Sequence, residues 1–241
     1  MSAFKSAEWK GYAWALAGTI AFASLYVFSK AGLNKVELAQ FGLYYFGIGF
    51  LLNLILLIGS GEVGRLKEIS PRFLAILLLI GFLDILTNIT FFLAIQAIPD
   101  PSVTSFLGNL FPVFLSVIGI TFLKERFTWI ESVGAAIALS GAFAISYSGD
   151  LSWNKFFIPG TGFVVINTLL AAIVSAIIKK NISKTIPVVF NLNSSWWIFL
   201  FFLVYFLNSG QSLEIPASAL LNIGLGAFFG SFVGLLSFYY Y

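Results

Sequence analysis

The 241-residue chain contains no cysteine and no histidine, and only 10% of its residues are charged. Without cysteine there are no disulfides and no thiolate nucleophile; without histidine there is no imidazole general base. The two absences together remove the usual zinc and haem ligands, so no metal and no cofactor are expected. The scarcity of charge excludes an ordinary soluble domain, in which about a quarter of residues are charged. No basic patch with interleaved aromatics lies outside the apolar runs, which argues against nucleic-acid binding. No G-x-x-x-x-G-K-[ST] loop is present, so ATP does not drive the protein directly. The first apolar stretch lacks an A-x-A-like cleavage site and reads as a retained helix.

What fills the chain instead is apolar: 59% of residues are hydrophobic and 28 are Phe. The runs are continuous over roughly 20 residues, which favours helices over barrel strands. The fold class is an all-α membrane protein with eight transmembrane helices, at about 12–32, 38–58, 73–97, 101–123, 127–147, 160–180, 186–207 and 218–241. Backbone groups in lipid must be satisfied within each segment, which dictates helix. Alternating the spans puts Lys5, Lys10, Arg65, Lys67, Arg72, Lys124, Arg126, Lys179, Lys180 and Lys184 on one side, ten in all, against Lys30, Lys35 and Lys155 on the other. The positive-inside rule then makes the N-terminus cytoplasmic, in a multi-pass protein of the cell (inner or plasma) membrane.

The chain also contains a faint internal repeat. At an offset of 150, Ala21 falls on Ala171, Lys30 on Lys180 and Phe46 on Trp196. At an offset of 147, Phe82 falls on Phe229, Asp84 on Ser231, Thr90 on Ser237 and Phe91 on Phe238. A repeat of five spans, an odd number, emerges with inverted topology, a plan of secondary transporters that bind substrate near the midplane. The expected organisation is a first five-helix repeat at 1–148 and an incomplete second one of three helices at 149–241. Counterparts of Pro101 to Tyr147 would lie beyond Tyr241, so a C-terminally truncated chain is expected, with a genuine eight-span protein as the alternative.

Residues 101–147 carry a resemblance. A small-residue helix start (Pro101, Ser102, Ser105) is followed by Pro112-Val113-Phe114, the turn Lys124-Glu125-Arg126, and a helix with Gly134, Ala135 and Gly141. This stretch resembles the EamA family of the drug/metabolite transporter superfamily. The resemblance implies two inverted five-helix halves with ten helices in the complete fold, cytoplasmic termini, and carriage of small metabolites such as amino acids, often outward. It also implies a central cavity lined by helices one, three and four and their repeat mates.

Asp84 is the only acidic residue deep in a span, where a carboxylate costs at least about 2.5 kcal/mol on insertion scales. Thr87, Asn88 and Phe91 follow at i+3, i+4 and i+7 and share its helix face. That face reads as a substrate-binding wall or proton site; the alternative is a structural carboxyl bonded to its neighbours. Pro112 lacks an N–H and deprives the Gly108 carbonyl of its helical partner, so Gly108 and Pro112 mark a kink beside Asn109. Asn109 is a substrate contact or a bond to a neighbouring helix. Ser24, Ser231, Tyr26, Asn167, Thr168, Ser175 and Tyr239 line the same cavity or make interhelical hydrogen bonds. Asn191, Asn193 and Ser194 read as packing or a water-facing stripe. Gly226, Gly230 and Gly234 lie on one face of the last helix and admit a close neighbour, as Gly134 and Ala138 do in the fifth.

The leading function is an integral membrane secondary transporter of a small metabolite, an amino acid or related solute, working as an exporter by alternating access at a midplane cavity. Its partners are the small-molecule substrate and the lipid bilayer, with a homo-oligomer left open. One deep carboxylate among Phe side chains suits a neutral, zwitterionic or cationic solute better than a dianion. The alternatives are a non-transporting membrane subunit or inactive fragment, and a membrane enzyme. An enzyme is disfavoured because no second deep carboxylate, His or Cys accompanies Asp84 to form an acid/base pair.

Overall fold

The computed structural model of the chain describes residues 2–122, 124, 128–147, 158–234 and 237, with the backbone alone for residues 2–12, 15, 131 and 146. Glu125, Arg126, Lys155, Phe238, Tyr239 and Tyr241, and the side chains of Lys5 and Lys10, lie outside the described residues. The regular elements are all helices: α1 (Ser2–Leu33), α2 (Leu38–Gly59), α3 (Pro71–Ala97), α4 (Pro101–Gly108), α5 (Leu110–Phe122), α6 (Trp129–Ser146), α7 (Thr161–Asn181), α8 (Pro187–Ser209) and α9 (Ala217–Ala227). A π-helical segment, Phe228–Gly234, continues α9.

The helix starts follow from local chemistry. Pro71, Pro101 and Pro187 each open a helix, in the first turn where a missing N–H costs nothing. The Asp100 carboxylate caps α4 by accepting the Ser102 N–H at 2.8 Å. Lys179 and Lys180 occupy the last turn of α7, where positive charge complements the helix dipole.

Among the described residues seven segments are long and apolar enough to cross a membrane: Leu16–Leu33, Leu38–Gly59, Pro71–Ala97, Pro101–Phe122, Thr161–Lys184, Pro187–Ser209 and Ala217–Gly234. The protein is therefore an all-α, multi-pass membrane protein. The remaining expected stretch, 127–147, folds as α6, whose 18 residues span about 27 Å. Its apolar part, Ser132–Ile145, is shorter than the other seven.

Two expected helices are interrupted. The stretch 101–123 is α4 and α5 with Asn109 between them, and the Asn109 N–H bonds the Phe106 carbonyl at 3.0 Å in a tightened turn. Pro112 lies in the first turn of α5, so the break falls just ahead of the residue that cannot donate to Gly108. The stretch 218–241 changes winding after Ala227 from α to π.

The chain divides by internal contacts into two compact units, Met1–Leu77 with Lys184–Tyr241, and Leu78–Ser183. In the first unit α2 and α8 run antiparallel through an aromatic seam. Phe46 stacks on Phe202 at 5.4 Å, and Phe50 meets Phe199 at 6.2 Å and Trp196 at 5.2 Å. Helix α1 packs closely on α9 and the π segment because glycines face it. A methyl group at Gly226 would meet Phe28 and Ser29, at Gly230 Leu25, and at Gly234 Phe22. Gly134 of α6 behaves differently, for a methyl group there meets open space, so the close approach expected at that glycine is absent among the described residues. In the second unit Ala94, Ile98, Leu107, Leu110, Ala142 and Val164 form the core that joins α3, α4, α5, α6 and α7.

These glycines give a matched pair of expectations. Gly230→Ala drives a methyl group against the Tyr45 hydroxyl and to 2.7 Å from Leu25 Cδ1. It should cost about 1–3 kcal/mol by overpacking. Gly134→Ala should be neutral, or stabilising by up to about 0.5–1 kcal/mol through helix propensity. Thermal unfolding of the two purified variants in one detergent checks this, and equal shifts would contradict the packing described.

Candidate functional site

Helix α3 carries the deep carboxyl. Its buried positions Leu77, Ile80, Asp84, Phe92 and Ile95 recur at helical spacing, and Asp84, 9% exposed, lies within that stripe. Thr87, Asn88 and Phe91 are half-buried and continue its face toward the helix C-terminus. The Thr87 hydroxyl donates to the Leu83 carbonyl at 2.8 Å, and the Asn88 amide donates to the backbone carbonyl of Asp84 at 2.9 Å. These bonds stay inside α3, the pattern by which short polar side chains lie on their own helix. From α7, the Asn167 amide donates to the Thr87 carbonyl at 2.8 Å. Phe91 packs edge-on to Phe92 at 5.0 Å. Asp84, Thr87, Asn88 and Phe91 thus lie along one stretch of α3, to which Asn167 of α7 is bonded.

That stretch offers a carboxyl and, one turn on, a hydroxyl and an amide, followed by an aromatic ring. Such a ladder suits an ammonium or amide N–H at the carboxyl, with apolar contact at the ring. Among the described residues no three acidic side chains come together to hold a metal ion.

The other expected residues lie elsewhere. Asn109 and Pro112 are exposed at the α4–α5 break, with Gly108 half-buried; among the described residues the Asn109 amide reaches only the Ser105 carbonyl, at 3.5 Å. Ser24 is half-buried on α1 and donates to the Ile20 carbonyl of its own helix at 2.8 Å. Thr168 likewise donates to Val164, at 2.8 Å. An open groove of about 820 Å³ among α5, α6 and α7 is lined by Leu110, Leu139, Ser140, Phe143, Val165 and Ile166. None of the described candidate residues lines it.

Ser231 belongs to a second polar group, in the first unit. It is buried in the π segment, hydrogen-bonded to the Tyr45 side chain. The fully buried Asn53 of α2 donates its amide to the carbonyls of Gly49 and Ser231, at 2.9 and 3.2 Å, and to the Ser195 hydroxyl of α8 at 3.3 Å. Asn53 and Tyr45 were not anticipated from the sequence. The one available signal was a lone asparagine in the apolar run LLNLILL. The Asn191 cluster divides: Asn191 is buried, whereas the Asn193 amide reaches the Leu77 carbonyl at 2.9 Å and ties α8 to the start of α3.

The model of the EamA-like transporter family matches residues 9–147, which hold the first five apolar stretches with the Asp84 face and the α4–α5 break. An uncharacterized transporter of Archaeoglobus fulgidus is 28% identical over 139 residues, covering 58% of this chain. The chain spans about half the length of that relative, 49%. A family match over more than half of the sequence places the protein: it belongs to the EamA-like transporter family.

Proposed function

We propose that the protein is a secondary transporter of a small neutral, zwitterionic or cationic metabolite, an amino acid or related solute, carried outward by alternating access. Its first repeat is 1–148 and its second begins at 149, with eight spans and a cytoplasmic N-terminus in the plasma or inner membrane. Asp84, Thr87, Asn88 and Phe91 meet the substrate from α3, and the Gly108–Pro112 break supplies a flexible joint in the neighbouring span.

One observation carries the reading: helix pairings agree with the sequence repeat. In the first unit Gly18 of α1 faces Ser237, so closely that a methyl group at Gly18 would lie 3.1 Å from the serine Cβ. Offsets of 150 and 147 carry that pair onto residues 168 and 90. In the second unit Asn167 bonds Thr87, within one turn of those positions. Helices α2 and α8, mates at an offset of 150, pack antiparallel, as an in-plane pseudo-two-fold axis requires. Inverted repeats of this kind support transport better than catalysis.

Reconstituted in proteoliposomes, the protein is expected to move labelled amino acids or monocationic solutes saturably across the bilayer, and dianions poorly. Absence of saturable flux across such a panel would remove the transporter reading. Product formation in detergent, without compartments, would replace it with an enzyme.

A further inference from the structure

The polar group around Asn53 has a hydrogen-bond account that does not close on protein atoms. Asn53 is 0% exposed in the C-terminal half of α2. Two of the three acceptors around its Nδ2 are backbone carbonyls, Gly49 and Ser231, which can only accept. This fixes the amide orientation, since turning it over would set Oδ1 against two carbonyl oxygens. Oδ1 therefore faces away from those partners, and among the described residues it has no donor.

The complementary deficit is on α8. Asn191, 2% exposed, has an Nδ2 with no acceptor among the described residues. It stands one turn from Ser195, whose hydroxyl already receives the Asn53 amide, so both asparagines belong to the same face of the α2–α8 contact. A third buried polar atom, the Ser29 hydroxyl of α1, is also without a partner and lies beside Gly226, next to Tyr45. An open acceptor on Asn53 and an open amide on Asn191, on facing helices and among uncharged side chains, call for a small neutral hydrogen-bonding molecule between them. Buried polar groups left open cost stability, and buried water is the usual remedy.

We infer that Asn53 and Asn191 hold an internal water site between α2 and α8, which joins these helices to the π segment through the Ser231 carbonyl. The site uses side chains distinct from the Asp84 face and does not depend on transport. A cation is disfavoured because no carboxylate lies among Tyr45, Asn53, Asn191, Ser195 and Ser231. The water explains how a π segment is held in an apolar surround: Asn53 bonds one carbonyl of the irregular winding, and the water completes Asn53.

A high-resolution experimental map of the full chain in nanodiscs tests this, with Asn191→Leu, in which the density should be lost, as the comparison. An empty gap between the two amides in the wild type, or density that persists in Asn191→Leu, overturns the inference; should the variant fail to fold, the wild-type map alone decides. Density at about 2.7–3.2 Å from both Asn53 Oδ1 and Asn191 Nδ2 is expected; a direct amide-to-amide bond there overturns the site.

Discussion

Alanine at position 42 is expected to lower the melting temperature of the purified protein sharply, and a smaller side chain at position 202 to recover much of the loss. Gly42 lies on the α8-facing side of α2, and a methyl group there overlaps the ring carbons of Phe202. That ring is fully buried, stacked on Phe46 at 5.4 Å and met edge-on by Phe201 at 5.3 Å. It has no free side to swing toward, so the helices themselves must part. Overpacking of this kind costs about 1–3 kcal/mol, and the tight seam puts Gly42→Ala at the upper end. Phe202→Leu alone also destabilises, by leaving a void. The signature is therefore non-additivity: the double variant should be more stable than the sum of the singles predicts, by about 0.5–3 kcal/mol of coupling. Additive effects in thermal or denaturant unfolding would mean that the two residues do not share one contact.

This seam shows what the sequence can and cannot convey. Helix limits were legible because Pro71, Pro101, Pro187 and the Lys-rich ends are punctuation with a mechanism. The α4–α5 break was legible at Pro112, whose missing N–H demands a disturbance, but the turn at Asn109 comes ahead of it because helix is lost on the N-terminal side. The π segment was not legible. Gly226, Gly230 and Gly234 have α-helical spacing, and the amide that bonds a carbonyl of the π segment comes from Asn53, nearly 180 residues away in the chain. The spacing of Asp84, Thr87, Asn88 and Phe91 on one face is a property of a single helix and could be read directly. Asn167 was foreseen only as one polar residue among several, because its bond to Thr87 depends on the register between α3 and α7. Periodicity assigns faces within a helix; it does not assign their partners.

Asp84→Asn should separate a working carboxyl from a structural one, because the two readings predict opposite pairs of results. The substitution keeps the shape of the side chain and removes its ionisation. An ionisable group at this depth carries an insertion cost of at least about 2.5 kcal/mol, so the variant is expected to fold and to melt no lower than the wild type. Flux should nevertheless fall. A charge-assisted bond to a substrate ammonium or N–H contributes about 1.5–3 kcal/mol, which at about 1.4 kcal/mol per decade is roughly ten- to a hundredfold in affinity. Measured below saturation in proteoliposomes, transport should drop by about that factor. Asp84→Glu, which restores the charge one methylene further along, should recover part of the loss. If Asp84 instead only secures the α3 stripe between Ile80 and Phe92, the asparagine variant would transport normally and melt earlier. Gain of stability with loss of flux is the outcome that assigns the residue to the transport site, since a side chain kept for packing has no reason to be costly.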